Sequence, residues 1–123
     1  MESFDIVKIA VKAADSKKGK DIAAIKIRDV SVLADYFVLV TGDSSTQVKA
    51  LAEQVEEELA KHDVFARRRE GVNEGHWCIL DYGDVMVHIF HEQDREYYQL
   101  ERLWSNGTNE VEVELDGAGA AAE

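Results

Sequence analysis

Four side chains of the types that bind transition metals lie close together in the sequence: His76, Cys78, His88 and His91. Imidazole nitrogen and thiolate sulfur are common zinc ligands, but zinc needs several of them converging at characteristic spacings. Neither C-x-x-C nor H-E-x-x-H occurs, and the alternation of a β-strand would point Cys78 away from His88. We therefore predict that these residues are structural and that they hold no metal.

The segment Gly42-Asp43-Ser44-Ser45 is a second candidate, because it lies between a predicted strand and a predicted helix. Backbone N–H groups at such a junction can bind phosphate. The segment has one glycine, lacks G-x-x-x-x-G-K-[ST], and carries Asp43, whose charge would repel a phosphate. Capping of the helix by Ser44 is the favoured interpretation. A nucleotide-binding or nucleotidyltransferase-like enzyme that uses residues 42–45 is the alternative function.

Nucleophilic or acid–base chemistry has little support elsewhere in the sequence. Cys78 lies in the middle of an apolar strand, where a thiol stays protonated. Asp81 and Asp84 flank a turn, and such residues more often form the turn with solvated side chains than a catalytic pair. Neither Ser44 nor Ser45 has a G-x-S-x-G context. We predict no catalytic residue, no cofactor and a protein that is not an enzyme.

The stretch Trp77–Phe90 predicts a β-hairpin that is apolar on both faces. A two-residue turn at Tyr82-Gly83 would pair Asp81 with Asp84, and Ile79 with Met86. Alternation along each strand assigns one face to Trp77, Ile79, Met86, His88 and Phe90, and the other to Cys78, Leu80, Val85, Val87 and Ile89. The second set is small and aliphatic, as expected of a sheet face packed on helices, whereas the first set needs a different cover.

Hydrophobic periodicity predicts the remaining elements. Two helices are expected to begin at capping serines, one at Ser3 for about fourteen residues and one at Ser44, with Gln47, to about His62. The apolar run Asp35–Thr41 predicts a buried central strand. The other predicted elements are strands at Asp21–Arg28 and Val64–Arg69, a connector at Val30–Ala34, a helix at Asp94–Trp104 and a weak strand around Val111–Leu115.

The order of these elements predicts an α+β (α/β-like) fold class. We expect a single domain, residues 1–104, with a mixed β-sheet of about five strands and helices. The composition changes after Trp104, and the end of the chain is rich in Gly and Ala. Residues 105–123 are therefore predicted to be a flexible tail.

The chain is acidic, with 25 Asp and Glu against 14 Lys and Arg and a net charge of -11. This balance disfavours nucleic acid and anionic membranes as main partners and favours a basic partner. An acidic surface that only aids solubility is the alternative. No apolar run reaches the ~18 residues of a membrane-spanning helix, the first residues lack a signal-peptide pattern, and a single cysteine suggests a reducing compartment. A cytoplasmic location is therefore expected.

Three blocks of the sequence resemble the ribosome-silencing factor family, also called the Iojap-like proteins. The blocks are Ala34–Gly42 followed by Ser44, Ser45, Gln47 and Val48; Trp77–Val85 followed by Val87–Phe90; and Arg95–Tyr98 followed by Leu100, Glu101, Leu103 and Trp104. They occur in the family's order, and the resemblance covers residues 4–104. Any one block would be suggestive, and the three together are specific.

The resemblance implies a protein without catalytic activity, whose fold is similar to that of nucleotidyltransferases without their catalytic acids. Members of the family bind the large ribosomal subunit at a basic ribosomal protein of the L-fourteen family, on the subunit-joining face. There they obstruct the small subunit and lower translation when nutrients are short; roles in ribosome assembly are also proposed. Members associate as homodimers off the ribosome. The implied partners are the large subunit and a second copy, without a primary nucleic-acid contact.

The residue pattern and the resemblance both point to the hairpin as the partner-binding site. An aromatic anchor among aliphatic side chains is the usual composition of an interface centre. The predicted centre comprises Trp77, Ile79, Met86 and His88, and the predicted acidic rim comprises Asp81, Tyr82, Asp84, Glu92 and Asp94. Two alternatives for Trp77 stay open, namely core packing beneath a helix and burial against a second copy. The basic triplet Arg67–Arg69 either reaches ribosomal RNA or simply ends a strand.

Overall fold

The computed structural model describes residues 1–28 and 34–93 with their side chains, and the backbone of residues 110–111. Within these residues the chain forms two helices and six strands. They are α1 Ser3–Ser16, β1 Lys20–Lys26, β2 Tyr36–Gly42, α2 Ser45–Ala60, β3 Arg68–Glu70, β4 Trp77–Asp81, β5 Val85–His91 and β6 Glu110–Val111. The predicted connector, C-terminal helix and tail lie largely outside the described residues.

The strands form one mixed sheet in the order β3-β4-β5-β2-β1-β6. β2 and β5 are parallel, and the other neighbouring strands pair antiparallel. Both helices pack on one face of this sheet, where their apolar side chains share a core with β2, β4 and β5. The predicted α+β class with a mixed sheet is confirmed, and the short β6 adds a strand to the five expected, close to the weak strand predicted around Val111.

The central strand β2 is buried along its whole length, as its apolar run predicts. It lies between β5 and β1, so both of its edges are hydrogen-bonded. Its side chains alternate between two cores. Tyr36, Val38 and Val40 face the helices, whereas Phe37 and Leu39 belong to a second apolar cluster. β2 therefore contributes side chains to the apolar cores on both faces of the sheet. Its parallel neighbour is β5.

The helix α1 begins one residue earlier than the sequence predicts. Glu2, not Ser3, is the N-cap residue, and the Asp5 carboxylate accepts a hydrogen bond from the Glu2 backbone N–H at 3.3 Å. That contact satisfies an N–H at the helix start, so Ser3 becomes the first helical residue. The helix ends at Ser16, and Lys18 follows in the left-handed region with φ +62°.

The helix α2 is capped as predicted, since the Ser44 Oγ accepts a hydrogen bond from the Gln47 N–H at 3.1 Å. The Gln47 side chain accepts from the Asp43 N–H instead of completing the predicted box with Ser44. The predicted apolar stripe is buried: Val48, Leu51, Ala52, Val55 and Leu59. The helix ends at Ala60, two residues before the predicted limit, and the Val64 N–H then donates to the Leu59 carbonyl oxygen at 3.0 Å.

The strand predicted at Val64–Arg69 is wrong for most of its length, because β3 contains only Arg68–Glu70. Val64 is still bonded to the end of α2, and Phe65 is 67% exposed, so neither joins the sheet. Pairing with β4 starts when the Arg67 N–H donates to the Asp81 carbonyl oxygen at 2.7 Å. β3 is therefore a short edge strand beside the hairpin.

Candidate partner-binding site

The hairpin β4–β5 forms, but its pairing differs by two residues from the predicted one. Ile79 pairs with His88, and Asp81 pairs with Met86. The chain turns through Gly83 and Asp84, with the Tyr82 N–H donating to the Val85 carbonyl oxygen at 2.9 Å. Gly83 has φ +88°, which favours glycine at this turn position. A shift of two residues leaves every side chain on its predicted face.

The small aliphatic face of the hairpin packs on the helices, as predicted. Its members are completely buried in the core shared with α1 and α2: Cys78, Leu80, Val85, Val87 and Ile89. Burial raises the pKa of the Cys78 thiol to about 12. Cys78 is therefore protonated near neutral pH, which matches its interpretation as a small core residue rather than a nucleophile.

The opposite face of the hairpin is partly covered rather than fully exposed. Phe90 is buried there in a cluster with Phe37, Leu39 and residues of β1. Trp77 and Met86 pack against this cluster and are half-buried, as is Ile79. The Trp77 ring stacks on Phe90 with a centroid separation of 5.2 Å. The edge of this face carries apolar side chains that keep part of their surface accessible.

A hydrogen bond joins the two polar members of this face. The Trp77 Nε1–H donates to His88 Nδ1 at 3.1 Å. His88 is only 4% exposed, and burial lowers the pKa of its imidazole to about 4. The ring is therefore neutral near pH 7, with Nδ1 as the acceptor and the proton on Nε2. The predicted pairing placed Trp77 directly opposite His88, whereas in the structure the two are diagonal neighbours on the same face; the bond itself was not predicted.

The predicted acidic rim is divided between buried and exposed positions. Asp84 and Glu92 are exposed, whereas Asp81 is only 5% exposed. Tyr82 is half-buried and packs against the core on the helix side, where its buried hydroxyl has no hydrogen-bond partner in the described part of the chain. Burial raises the pKa of this phenol above its usual range. Asp94 lies outside the described residues, and the partner-binding role of all these residues stays a prediction.

Asp81 is held by two basic residues at the start of β3, Arg67 just before the strand and Arg68 as its first residue. Its Oδ1 accepts from the Gly83 N–H at 2.8 Å, and its Oδ2 accepts from Arg68 Nη2 at 3.3 Å. Arg67 Nη2 lies 3.5 Å from Oδ1. Burial opposes ionisation of Asp81, but the Gly83 N–H and the two guanidinium charges outweigh it and hold its pKa below the usual range. The carboxylate braces the hairpin turn against the segment leading into β3.

Replacing Asp81 with asparagine is expected to lower the free energy of unfolding by about 1–2 kcal/mol, because charge-assisted hydrogen bonds are lost while the exposed guanidinium groups are rehydrated. Asp84→Asn is the matched control, since Asp84 is exposed at the same turn and should change stability by less than about 0.5 kcal/mol. Chemical denaturation at pH 7 measures both values. Equal midpoints for the two variants would contradict the bracing role of Asp81.

The third arginine of the basic triplet binds helix α2. Arg69 donates from Nε and Nη2 to the two carboxylate oxygens of Glu56, at 2.7 and 3.0 Å. Such a two-point contact fixes orientation as well as charge. The triplet therefore joins β3 to the hairpin on one side and to α2 on the other. Sequence reasoning missed these partners because they lie thirteen or fourteen positions away from the arginines.

The segment Gly42–Ser45 lies at the carboxyl end of β2, next to the end of β5. Ser44 caps α2, and the Asp43 carboxylate forms an ion pair with Lys20 Nζ at 2.6 Å. The loop before β4 also closes on the helix start, since a Cβ on Gly75 would lie 2.7 Å from the Ser45 Cβ. These contacts support capping as the role of Ser44.

The described residues offer neither a metal-binding cluster nor a membrane-spanning helix. His76 and His91 have ring centroids 5.9 Å apart, at the start of β4 and the end of β5. Within residues 1–28 and 34–93, three or more His, Cys, Asp or Glu side chains do not gather where they could hold a metal ion. Neither α1 nor α2 is long and apolar enough to cross a membrane.

Comparison with known proteins identifies the family of this chain. The family model described as "Ribosomal silencing factor during starvation" matches residues 1–123. "Ribosomal silencing factor RsfS" of Bacillus subtilis is 39% identical over 106 residues, which cover 86% of this chain and 90% of that protein. A crystal structure of a Chromobacterium violaceum protein has a TM-score of 0.83 and 36% identity, and covers 98% of this chain and 99% of its own.

A more distant relative carries a name that refers to ribosome assembly. "Mitochondrial assembly of ribosomal large subunit protein 1" of Mus musculus is 28% identical over 107 residues, which cover 83% of this chain and 46% of that protein. The whole-chain family match and the bacterial relatives agree with the resemblance carried by the three sequence blocks. This chain belongs to the ribosomal silencing factor family.

Proposed function

We propose that this protein binds the large ribosomal subunit through a basic ribosomal protein of the L-fourteen family, blocks joining of the small subunit and so represses translation. Membership of the ribosomal silencing factor family supports a role in translation. The name of the mouse relative supports the large subunit as the partner. The observation that carries the proposed site is the half-buried Trp77, which lies at the edge of a sheet face with Ile79 and Met86.

The geometry around Trp77 suits an interface anchor. The indole ring stacks on Phe90 and its N–H donates a hydrogen bond to His88, yet part of its surface stays accessible. A side chain that is already ordered loses little conformational entropy when a partner covers it. Large, ordered aromatic side chains surrounded by aliphatic ones are typical binding hot spots. The apolar edge formed by Trp77, Ile79 and Met86 therefore offers apolar surface to a partner, and little conformational entropy of the Trp77 side chain is lost on binding.

Charge favours a basic partner at this surface. The protein carries a net charge of -11, and Asp84 and Glu92 are exposed at opposite ends of β5. Opposite potentials accelerate the encounter and disfavour wrong partners. The arginines of the triplet are already bound to Asp81 and Glu56, which reduces their availability for RNA phosphates. A protein component of the subunit is therefore a better match than RNA.

Trp77→Ala is expected to weaken binding to the large subunit by about 30-fold or more, because loss of a hot-spot anchor costs about 2 kcal/mol. Phe65→Ala is the matched control, since it removes another aromatic ring outside the hairpin, from a 67% exposed position. Affinity is measured by co-sedimentation with purified large subunits, and thermal unfolding verifies that both variants fold. Unchanged affinity in a folded Trp77→Ala variant would exclude Trp77 from the interface.

Steric exclusion is tested with separated subunits in a sucrose gradient. Added protein should sediment with the large subunit and reduce the peak of joined ribosomes, because both partners would need the same surface. The folded Trp77→Ala variant should leave the joined peak intact at the same concentration. If the subunits join normally while the protein stays bound, exclusion is the wrong mechanism even though ribosome binding is real.

A homodimer in the free state is part of the same proposal. A second copy would cover the apolar edge around Trp77 until the large subunit replaces it. Light scattering across a concentration series should then show a dimer that dissociates on dilution. Trp77→Ala should shift that equilibrium toward the monomer, whereas a dimer insensitive to the substitution would place the contact elsewhere.

A further inference from the structure

The imidazole of His88 is enclosed by three aromatic rings. Its centroid lies 4.7 Å from that of Phe37 and 6.1 Å from those of Phe90 and Trp77. Its strand neighbours are Leu39 on β2 and Ile79 on β4. Among the described residues these surroundings contain no ionisable side chain and no charge. His88 is thus a polar group in an apolar site, which needs a physical reason.

Among the residues that the structure describes, one of the two ring nitrogens has a hydrogen-bond partner. Nδ1 accepts from the Trp77 indole at 3.1 Å, whereas Nε2 is buried and has no partner within residues 1–28 and 34–93. A buried donor without an acceptor is unfavourable, and such groups are rare in native proteins. An apolar side chain of similar size would avoid that cost. The feature that an apolar side chain cannot supply is the Nδ1 acceptor, so the role of His88 lies in its bond to Trp77.

We propose that His88 is a positioning residue, which holds the Trp77 indole in its partner-binding orientation and releases it when the imidazole is protonated. The inference rests on the proposed function, because it takes Trp77 as the anchor for the ribosomal partner. A protonated imidazole carries an N–H group on both nitrogens. The Nδ1–H and the indole N–H would then be two donors opposite each other, with no acceptor between them. The bond that orients Trp77 would then be lost.

The first measurement uses the free protein and needs no ribosome. The indole N–H of Trp77 is followed by NMR in protein labelled with ¹⁵N-tryptophan, and Trp77→Phe assigns its signal. In the wild type this signal should move with a midpoint near pH 4, the value to which burial lowers the pKa of His88. In His88→Gln the signal should not titrate, because the amide oxygen is an acceptor that does not ionise. His91→Gln is the control on the same strand and should titrate like the wild type.

The second measurement compares affinity for the large subunit at pH 7. His88→Phe removes the acceptor and should weaken binding about tenfold, whereas His88→Gln should stay within about threefold of the wild type. Both variants must show wild-type secondary structure by circular dichroism. Wild-type affinity in a folded His88→Phe variant overturns the proposal, provided that Trp77→Ala weakens binding. If Trp77→Ala also binds with wild-type affinity, Trp77 is not the anchor and the proposed function fails. Independently of affinity, a Trp77 indole signal that titrates in His88→Gln as it does in the wild type would overturn the positioning role of His88.

Discussion

Replacing Gly71 with alanine is expected to lower the free energy of unfolding by about 3 kcal/mol or more, through a left-handed backbone and a direct clash. Gly71 follows β3 and has φ +74°. A Cβ at this position would lie 2.0 Å from the Trp77 carbonyl oxygen, which is backbone and cannot rotate away. Either the loop or the start of β4 must move, and both lie beside the proposed partner-binding edge around Trp77. Equilibrium denaturation measures the loss.

Gly83→Ala separates the two contributions. Gly83 also has a positive φ, +88°, but the nearest atom to its added Cβ is the tip of the exposed Arg67 side chain at 3.6 Å. It should therefore cost only the backbone contribution, about 1–2 kcal/mol. A loss in Gly71→Ala no larger than that in Gly83→Ala would mean that the close approach of Gly71 to Trp77 relaxes at no cost.

Acidification from pH 7 to pH 4 is expected to lower the free energy of unfolding by about 3 kcal/mol through His88 alone, with about 2 kcal/mol of this lost by pH 5. The folded state holds the pKa of His88 at about 4, against 6.5 for the ordinary imidazole. Between these values the unfolded chain binds a proton that the folded chain does not. Stability is therefore complete above pH 6.5 and falls as the pH drops toward 4.

His88→Gln provides the control for this pH dependence, since it removes the titrating group and keeps a polar acceptor. The difference between wild type and variant, measured by denaturation at pH 7 and pH 5, isolates the contribution of His88. Asp81 also has a lowered pKa, but its contribution is lost only as the pH falls below the ordinary aspartate value of 3.8. If the free energy of unfolding falls equally in the wild type and in His88→Gln between pH 7 and pH 5, His88 is not responsible for the pH dependence of stability.

The parts of the fold that sequence reasoning predicted are those encoded by local periodicity. The apolar run Tyr36–Gly42 is long enough to identify a buried central strand, and the stripe from Val48 to Leu59 identifies the buried side of α2. Alternation also sorted the hairpin side chains correctly. These features depend only on the spacing of residue types, so they are readable without the tertiary structure.

The parts that the sequence did not predict depend on distant contacts or on turn geometry. The turn could pass through Tyr82-Gly83 or Gly83-Asp84, and only the backbone conformation at Gly83 decides the pairing. Asp81 looked like a solvated turn residue, because no local pattern reveals that Arg67 and Arg68 reach it. The Trp77–His88 bond was also not predicted: the expected register placed the two residues directly opposite each other, whereas the observed register makes them diagonal neighbours.

The exposed strand β3 has a consequence for how the protein behaves in a crowded solution. An edge strand has backbone groups that can pair with another chain, which is a common route to aggregation. Here the edge is three residues long, and all three are charged and exposed: Arg68, Arg69 and Glu70. A passing strand would find few backbone groups to bind and would have to displace the ion pairs to Asp81 and Glu56. The sheet therefore ends in a strand that resists further growth.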